Sequence, residues 1–205
     1  MELLSSLSSY VTKLISEAGR IPLARQQQLH QLAAYVKARR GTERIALNFI
    51  CTHNSRRSHL AQIWAATAAY YYGVPTVQTF SGGTEATAFN PRAVAAIKRA
   101  GFSVEEGEGG NPVYTIRFAS AAEPLQCFSK VYDDSVNPKG NFAAIMTCSD
   151  ADENCPFIPG VDLRLPLTYE DPKVADDTPA ESERYDERVQ QIGREIFYAF
   201  SLVHE

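Results

Sequence analysis

Residues 44–51 read RIALNFIC, and the residues that follow read THNSRRS. The first run is a continuous apolar strand without strict alternation, the pattern of a central parallel strand buried on both faces. The polar break is followed by SHLAQIWAATAAYYYGV, which has helical spacing and ends near Gly73. The same grammar recurs. TVQTFSGG at 76–83 reads as a second strand, and NPRAVAAIKRAGF as a short helix with Asn90 as N-cap and Pro91 at the first helical position. FAAIMTC at 142–148 and VDLRLPL at 161–167 add two strands, and residues 180–203 a long final helix. Strands alternating with helices predict an α/β fold: an open parallel sheet with helices on both faces. Between about 107 and 140 the alternation breaks, and PVYTIRF and LQCFSKVY predict an inserted β hairpin or an extension of the sheet.

Residues 1–42 form an N-terminal extension to the main domain at 43–205. Leu3, Leu7, Tyr10, Val11, Leu14 and Ile15 share one helical face, and Leu29, Leu32, Ala33 and Val36 share another after Pro22. Two amphipathic helices result, which pack on the main domain or pair two copies of the chain as a homodimer.

At 205 residues, 44% hydrophobic and 21% charged, the chain has the composition of a globular domain able to bury a core without disulfides. A net charge of −4 does not suggest a nucleic-acid or anionic-membrane partner. No apolar run has the length of a membrane span, and the N-terminus lacks the pattern of a signal peptide. The four cysteines then read as reduced thiols in a cytoplasm, where paired thiols tend to be catalytic or metal-binding.

Cys51 closes the first strand, and open α/β sheets bind ligands at the carboxyl ends of their strands. The loop Thr52, His53, Asn54, Ser55, Arg56, Arg57, Ser58 leads into a helix N-terminus, where backbone N–H groups converge on anions. Arg57 adds a fork suited to a tetrahedral oxyanion. The same positive field activates the Cys51 thiol as a nucleophile, and Ser58 is placed to hydrogen-bond the thiolate. The competing reading, a buried structural cysteine, leaves the Cys-x5-Arg-Ser spacing between strand and helix unexplained.

CTHNSRRS resembles the phosphate-binding loop of the low-molecular-weight tyrosine phosphatases and of the arsenate reductases built on that fold. SGGTEATAFNPRAV is similar to the second-strand segment of the reductases, and TYEDP to the Asp-Pro loop that supplies the general acid. The resemblance spans roughly residues 44–105 and 142–203. It implies a four-stranded parallel sheet and assigns Asp171 as the acid. Two positions depart from the pattern: His53 stands where Gly is usual and Arg56 where Cys is usual. Arg56 adds charge that favours a dianion, or points to solvent.

MTCSDADENCPFIPG decides between the chemistries of this fold. For a phosphatase Cys148 and Cys155 have no task. The segment resembles the thioredoxin-coupled reductases, and that resemblance implies a relay: Cys51 attacks arsenate, Cys148 attacks Cys51, and Cys155 closes a Cys148–Cys155 disulfide. An external thiol reductant such as thioredoxin would then reopen it, with no bound cofactor. SDADEN is polar, a poor buried helix and free to rearrange. A zinc site would want about four Cys/His ligands, and these two lack a nearby second pair. Cys127 reads as a packing residue, Glu170, Asp176 and Asp177 as solvated, and His59 has no evident role. Trp64, Tyr70, Tyr71 and Tyr72 read as core or interface. Three functions stay in play: arsenate reduction, phosphotyrosine hydrolysis through a phosphocysteine, and non-catalytic oxyanion binding.

Overall fold

The computed structural model describes residues 1–41, 44–154 and 157–204. Its centre is a parallel four-stranded sheet of β1 (Ile45–Cys51), β2 (Val77–Gly83), β6 (Phe142–Met146) and β7 (Val161–Pro166), in the order β2-β1-β6-β7. Every residue of β1 and of β6 is buried, as a continuous apolar run requires. The register pairs Cys51 with Gly83 and Ile50 with Met146, so the carboxyl ends of three strands meet at one edge.

Helices cover both faces of this sheet: α3 (Arg57–Tyr71), α4 (Pro91–Ala100), the short α5 (Ser149–Asn154) and α6 (Glu181–His204). Asn90 caps α4 by accepting from the Arg92 amide at 2.9 Å, with Pro91 at the first turn. The SDADEN segment, expected to make a poor buried helix, forms a short helix that is mostly exposed, with only Ala151 buried.

The N-terminal helices, α1 (Ser5–Ser16) and α2 (Leu23–Ala38), pack onto the main domain. Leu7, Leu14, Leu29, Leu32 and Val36 are fully buried in one cluster with Trp64, Ile97 and Phe197. These faces are therefore covered within the chain rather than left for a second copy. Ile15 lies off the buried face, at 37% exposure. Trp64 stacks on Tyr10, meets Phe102 and Phe197 edge-on and is core, while Tyr70, Tyr71 and Tyr72 are half-buried and pack against it.

The insertion is larger than a hairpin. It is a three-stranded antiparallel sheet, β3 (Ser103–Glu106), β4 (Tyr114–Arg117) and β5 (Leu125–Cys127), in sequence order. SVEE carries one apolar residue and is mostly exposed, so its pattern gives no strand signal. LQCFSKVY is not one strand throughout. After Cys127 the chain leaves β4 and runs beside the end of β2. There Gly83 donates its amide to the Lys130 carbonyl at 2.9 Å and accepts from the Tyr132 amide at 2.8 Å.

Candidate active site

The loop between β1 and α3 is built by its carbonyls. Cys51 O accepts from the Thr84 amide, and Thr52 O from the Glu85 amide. His53 O accepts from the Thr87 and Ser129 hydroxyls, and Ser55 O from the Asn90 amide. All these partners lie outside the loop, and no described peptide bond is cis. In a trans peptide the N–H points opposite to the C=O. The amides of 52, 53, 54 and 56 are therefore turned away from this outer frame, and among the described residues those of 52–56 make no hydrogen bond. Unbonded N–H groups turned away from that frame at the start of α3 can receive an anion.

Asn54 makes the sharp turn possible. Its φ is +43°, the left-handed region that Asn tolerates better than most residues. Its side-chain Nδ2 donates to Ser58 Oγ at 2.8 Å, and its Oδ1 accepts from the Lys130 amide at 2.9 Å. Ser58 Oγ in turn lies 3.1 Å from Cys51 Sγ. Asn54, Ser58 and Cys51 thus form one buried chain of contacts, tied at its far end to the insertion.

Arg57 opens α3 and is buried. Its Nη1 donates to the Tyr169 carbonyl at 3.0 Å and its Nη2 to Asp171 Oδ2 at 2.9 Å. Its buried Nε has no hydrogen-bond partner among the described residues, which leaves a donor for a ligand. Asp171 Oδ1 accepts from the Lys173 amide at 3.0 Å, so the aspartate also caps the 3-10 turn Pro172–Ala175.

Arg56 does not point to solvent. Its side chain is 15% exposed, with Nε donating to the Tyr185 hydroxyl at 2.9 Å and lying 3.8 Å from Asp171 Oδ1. Its Nη2 lies 3.5 Å from Asp176 Oδ2, so Asp176 is a partner rather than a solvated residue. Tyr185 donates to Asp176 at 2.8 Å, and burial pushes its phenol up to about 12, so it remains a donor at neutral pH. Glu170 and Asp177 are exposed, as expected.

His53 extends outward, its side chain 41% exposed and its Nε2 3.9 Å from Glu85. Its departure from glycine therefore leaves the loop interior untouched. His59, without an evident role in the sequence, is fully buried, stacked on Phe89 with ring centroids 4.1 Å apart, and its Nδ1 is 3.2 Å from Ser81 Oγ. Burial, reinforced by the charge of Lys130, holds its pKa well below the ordinary histidine value.

Cys148 is placed next to the same loop. It follows β6, the neighbour of β1, and its Sγ is 3.4 Å from Thr52 Oγ1 and 3.4 Å from the Ala151 amide of α5. Cys51 and Cys148 share one hydrophobic cluster, and both are free thiols. Cys155 lies outside the described residues. Cys127 is remote in kind: fully buried on β5, with burial pushing its thiol up to about 12.

Sequence reading missed Tyr169, Tyr185, Lys130 and the frame residue Ser129. It also gave no role to the pair Gly82-Gly83, although a Cβ on Gly83 would stand 2.6 Å from Thr52 O and 2.7 Å from the Asn54 amide. A paired glycine at the end of a strand was the available signal.

No family model matches the chain. Arsenate reductase 2 of Staphylococcus epidermidis is 28% identical over 124 residues, 60% of this chain and 76% of that protein. The arsenate reductase of Bacillus licheniformis is 29% identical over 149 residues, 72% of this chain and 89% of that protein. A low-molecular-weight phosphotyrosine phosphatase from Vibrio cholerae superposes with a TM-score of 0.50 at 15% identity, covering 75% of this chain and 93% of that one. No helix among the described residues is long and apolar enough to cross a membrane. In sequence the chain is similar to bacterial arsenate reductases, and its fold is that of the low-molecular-weight phosphotyrosine phosphatases.

Proposed function

We propose that the protein reduces arsenate to arsenite through Cys51, Cys148 and Cys155. The arsenate oxyanion is held by the amides of the 52–56 segment and by Arg57, whose unpartnered Nε supports that role. Cys51 attacks arsenic, an As–S bond forms, and an arsenate oxygen leaves as water with a proton from Asp171. Ser58 supports the thiolate through the 3.1 Å contact. Cys148 then attacks Cys51 Sγ. The new S–S bond forms as the As–S pair returns to arsenic, which leaves as arsenite two electrons richer. Cys155 attacks Cys148 Sγ and frees Cys51. A dithiol reductant of the thioredoxin kind reopens the Cys148–Cys155 disulfide.

The observation that carries this reading is the place of Cys148, a free thiol within 3.4 Å of a loop hydroxyl adjacent to Cys51. The names of the relatives support the same reaction. Hydrolysis of a phosphoester through a phosphocysteine is the second reading, favoured by the contact of Arg57 with Asp171. Arsenate-dependent NADPH oxidation in the presence of thioredoxin and its reductase, run beside an aryl phosphate assay, separates them. Cys148→Ser is expected to abolish the first activity and leave phosphate binding intact. Unchanged arsenate turnover in that variant would rule out the relay.

A further inference from the structure

We propose that the N-terminal helices clamp the acid-bearing loop, with Arg25 of α2 as the positioning residue. This rests on the reading of Asp171 as the acid. Arg25 joins three elements. Its Nη2 donates to the Thr168 carbonyl at 2.7 Å, its Nε to Glu195 Oε2 of α6 at 2.8 Å, and its Nη1 to Gln28 on its own helix at 2.9 Å. The guanidinium also lies over the Tyr169 ring, 4.6 Å from its centroid.

The segment so held is the one that carries the acid. Tyr169 is buried, its amide donates to the Thr147 carbonyl, and its carbonyl accepts from Arg57. Two residues on, Asp171 takes the second Arg57 donor. The backbone from 168 to 171 is thus gripped by Arg25 at one end and by Arg57 at the other. Glu195 is itself buried at 2% exposure, and its carboxylate is paired with Arg25. A buried carboxylate of this kind needs its partner, so the extension is built into the main domain. A loop acid serves only when held within a fraction of an ångström of the reacting oxygen, so a fixed backbone at Thr168 bears on the rate.

Arg25→Met alone leaves Glu195 buried and unpaired, so Arg25→Met/Glu195→Gln serves as the second variant. It keeps side-chain volume and removes both charges, and with them the donor to Thr168. The proposal expects native circular dichroism. It expects the amides of residues 168–171 to exchange about tenfold faster or more while those of α3 keep their protection. It also expects kcat for arsenate-dependent turnover to fall about tenfold or more with KM changed by less than about threefold. A merely structural loss would instead speed exchange throughout the chain. Exchange at 168–171 and kcat both within about twofold of the parent would overturn the clamp. A parent protein without turnover in either assay counts against the proposed reaction, while the exchange comparison still decides the clamp.

Discussion

Arg57 Nη2 donates to Asp171 Oδ2 at 2.9 Å, joining the first residue of α3 to a residue 114 positions later, in the loop that follows β7. Neither side chain is free to turn: Arg57 also holds the Tyr169 carbonyl, and Asp171 also caps the next turn. The proposed oxyanion binder and the proposed proton donor are therefore set relative to each other before any substrate arrives.

Replacement of Asp171 by Asn separates those two tasks. The amide oxygen still accepts from Arg57, but the side chain no longer delivers a proton. Turnover of arsenate is expected to fall by about 10²–10⁴, the usual worth of a general acid. Binding of inorganic phosphate, measured by titration calorimetry, should change by less than about fivefold. Full turnover in the variant would remove Asp171 from the chemistry.

Asn54 combines a left-handed backbone with two side-chain bonds, to Ser58 and from the Lys130 amide. Asn54→Ala loses both and adds backbone strain, while Asn54→Gly loses only the bonds. The glycine variant should be the more stable in urea by about 1 kcal/mol. Both should lose at least about tenfold in kcat/KM, since Ser58 is no longer aimed at the thiol. Equal stability of the two would show that the backbone angle costs nothing here.

Gly83→Ala tests the frame of the loop. The added methyl would press on Thr52 O, which already accepts from the Glu85 amide, and on the backbone amide nitrogen of Asn54. A destabilisation of about 3 kcal/mol and loss of phosphate binding are expected, read by urea unfolding and calorimetry. A variant with parental midpoint and affinity would mean that the loop tolerates a shift the geometry forbids.

His59 gives the fold a pH dependence. Its folded pKa lies well below the ordinary value of 6.5, so the folded state refuses a proton that the unfolded chain accepts. The stability it contributes is complete above about pH 6.5 and declines as pH falls below it, by up to about 1.4 kcal/mol per pH unit. His59→Phe keeps a ring against Phe89 and cannot titrate. Urea midpoints at pH 7.5 and pH 5.5 should differ less in this variant than in the parent, and an unchanged difference would place the pH dependence elsewhere.

The alternation of strand and helix was open to reading because each element announces itself locally. IALNFIC and FAAIM are apolar without a period, Asn90-Pro91 starts a helix, and Cys-x5-Arg-Ser falls between strand and helix. The resemblance carried by CTHNSRRS supplied the rest: a four-stranded sheet and an acid loop at TYEDP. β3 escaped because SVEE lies mostly exposed and carries one apolar residue, so burial left no mark on its composition. Arg56 was misjudged for a related reason. An arginine is usually exposed, and what buries this one is Asp176 and Tyr185, residues more than a hundred positions later.

Local sequence thus determined the strands of the parallel sheet, its long helices and that a thiol ends the first strand, because hydrophobic period, capping residues and turn residues act between near neighbours. Only the tertiary structure decided what surrounds that thiol. Cys148 comes beside the loop because β6 pairs with β1, Lys130 reaches Asn54 because the insertion folds back along β2, and Arg25 meets Thr168 because α2 packs on α6 and β7. These contacts join distant parts of the chain through sheet register and core packing, and no local pattern encodes them.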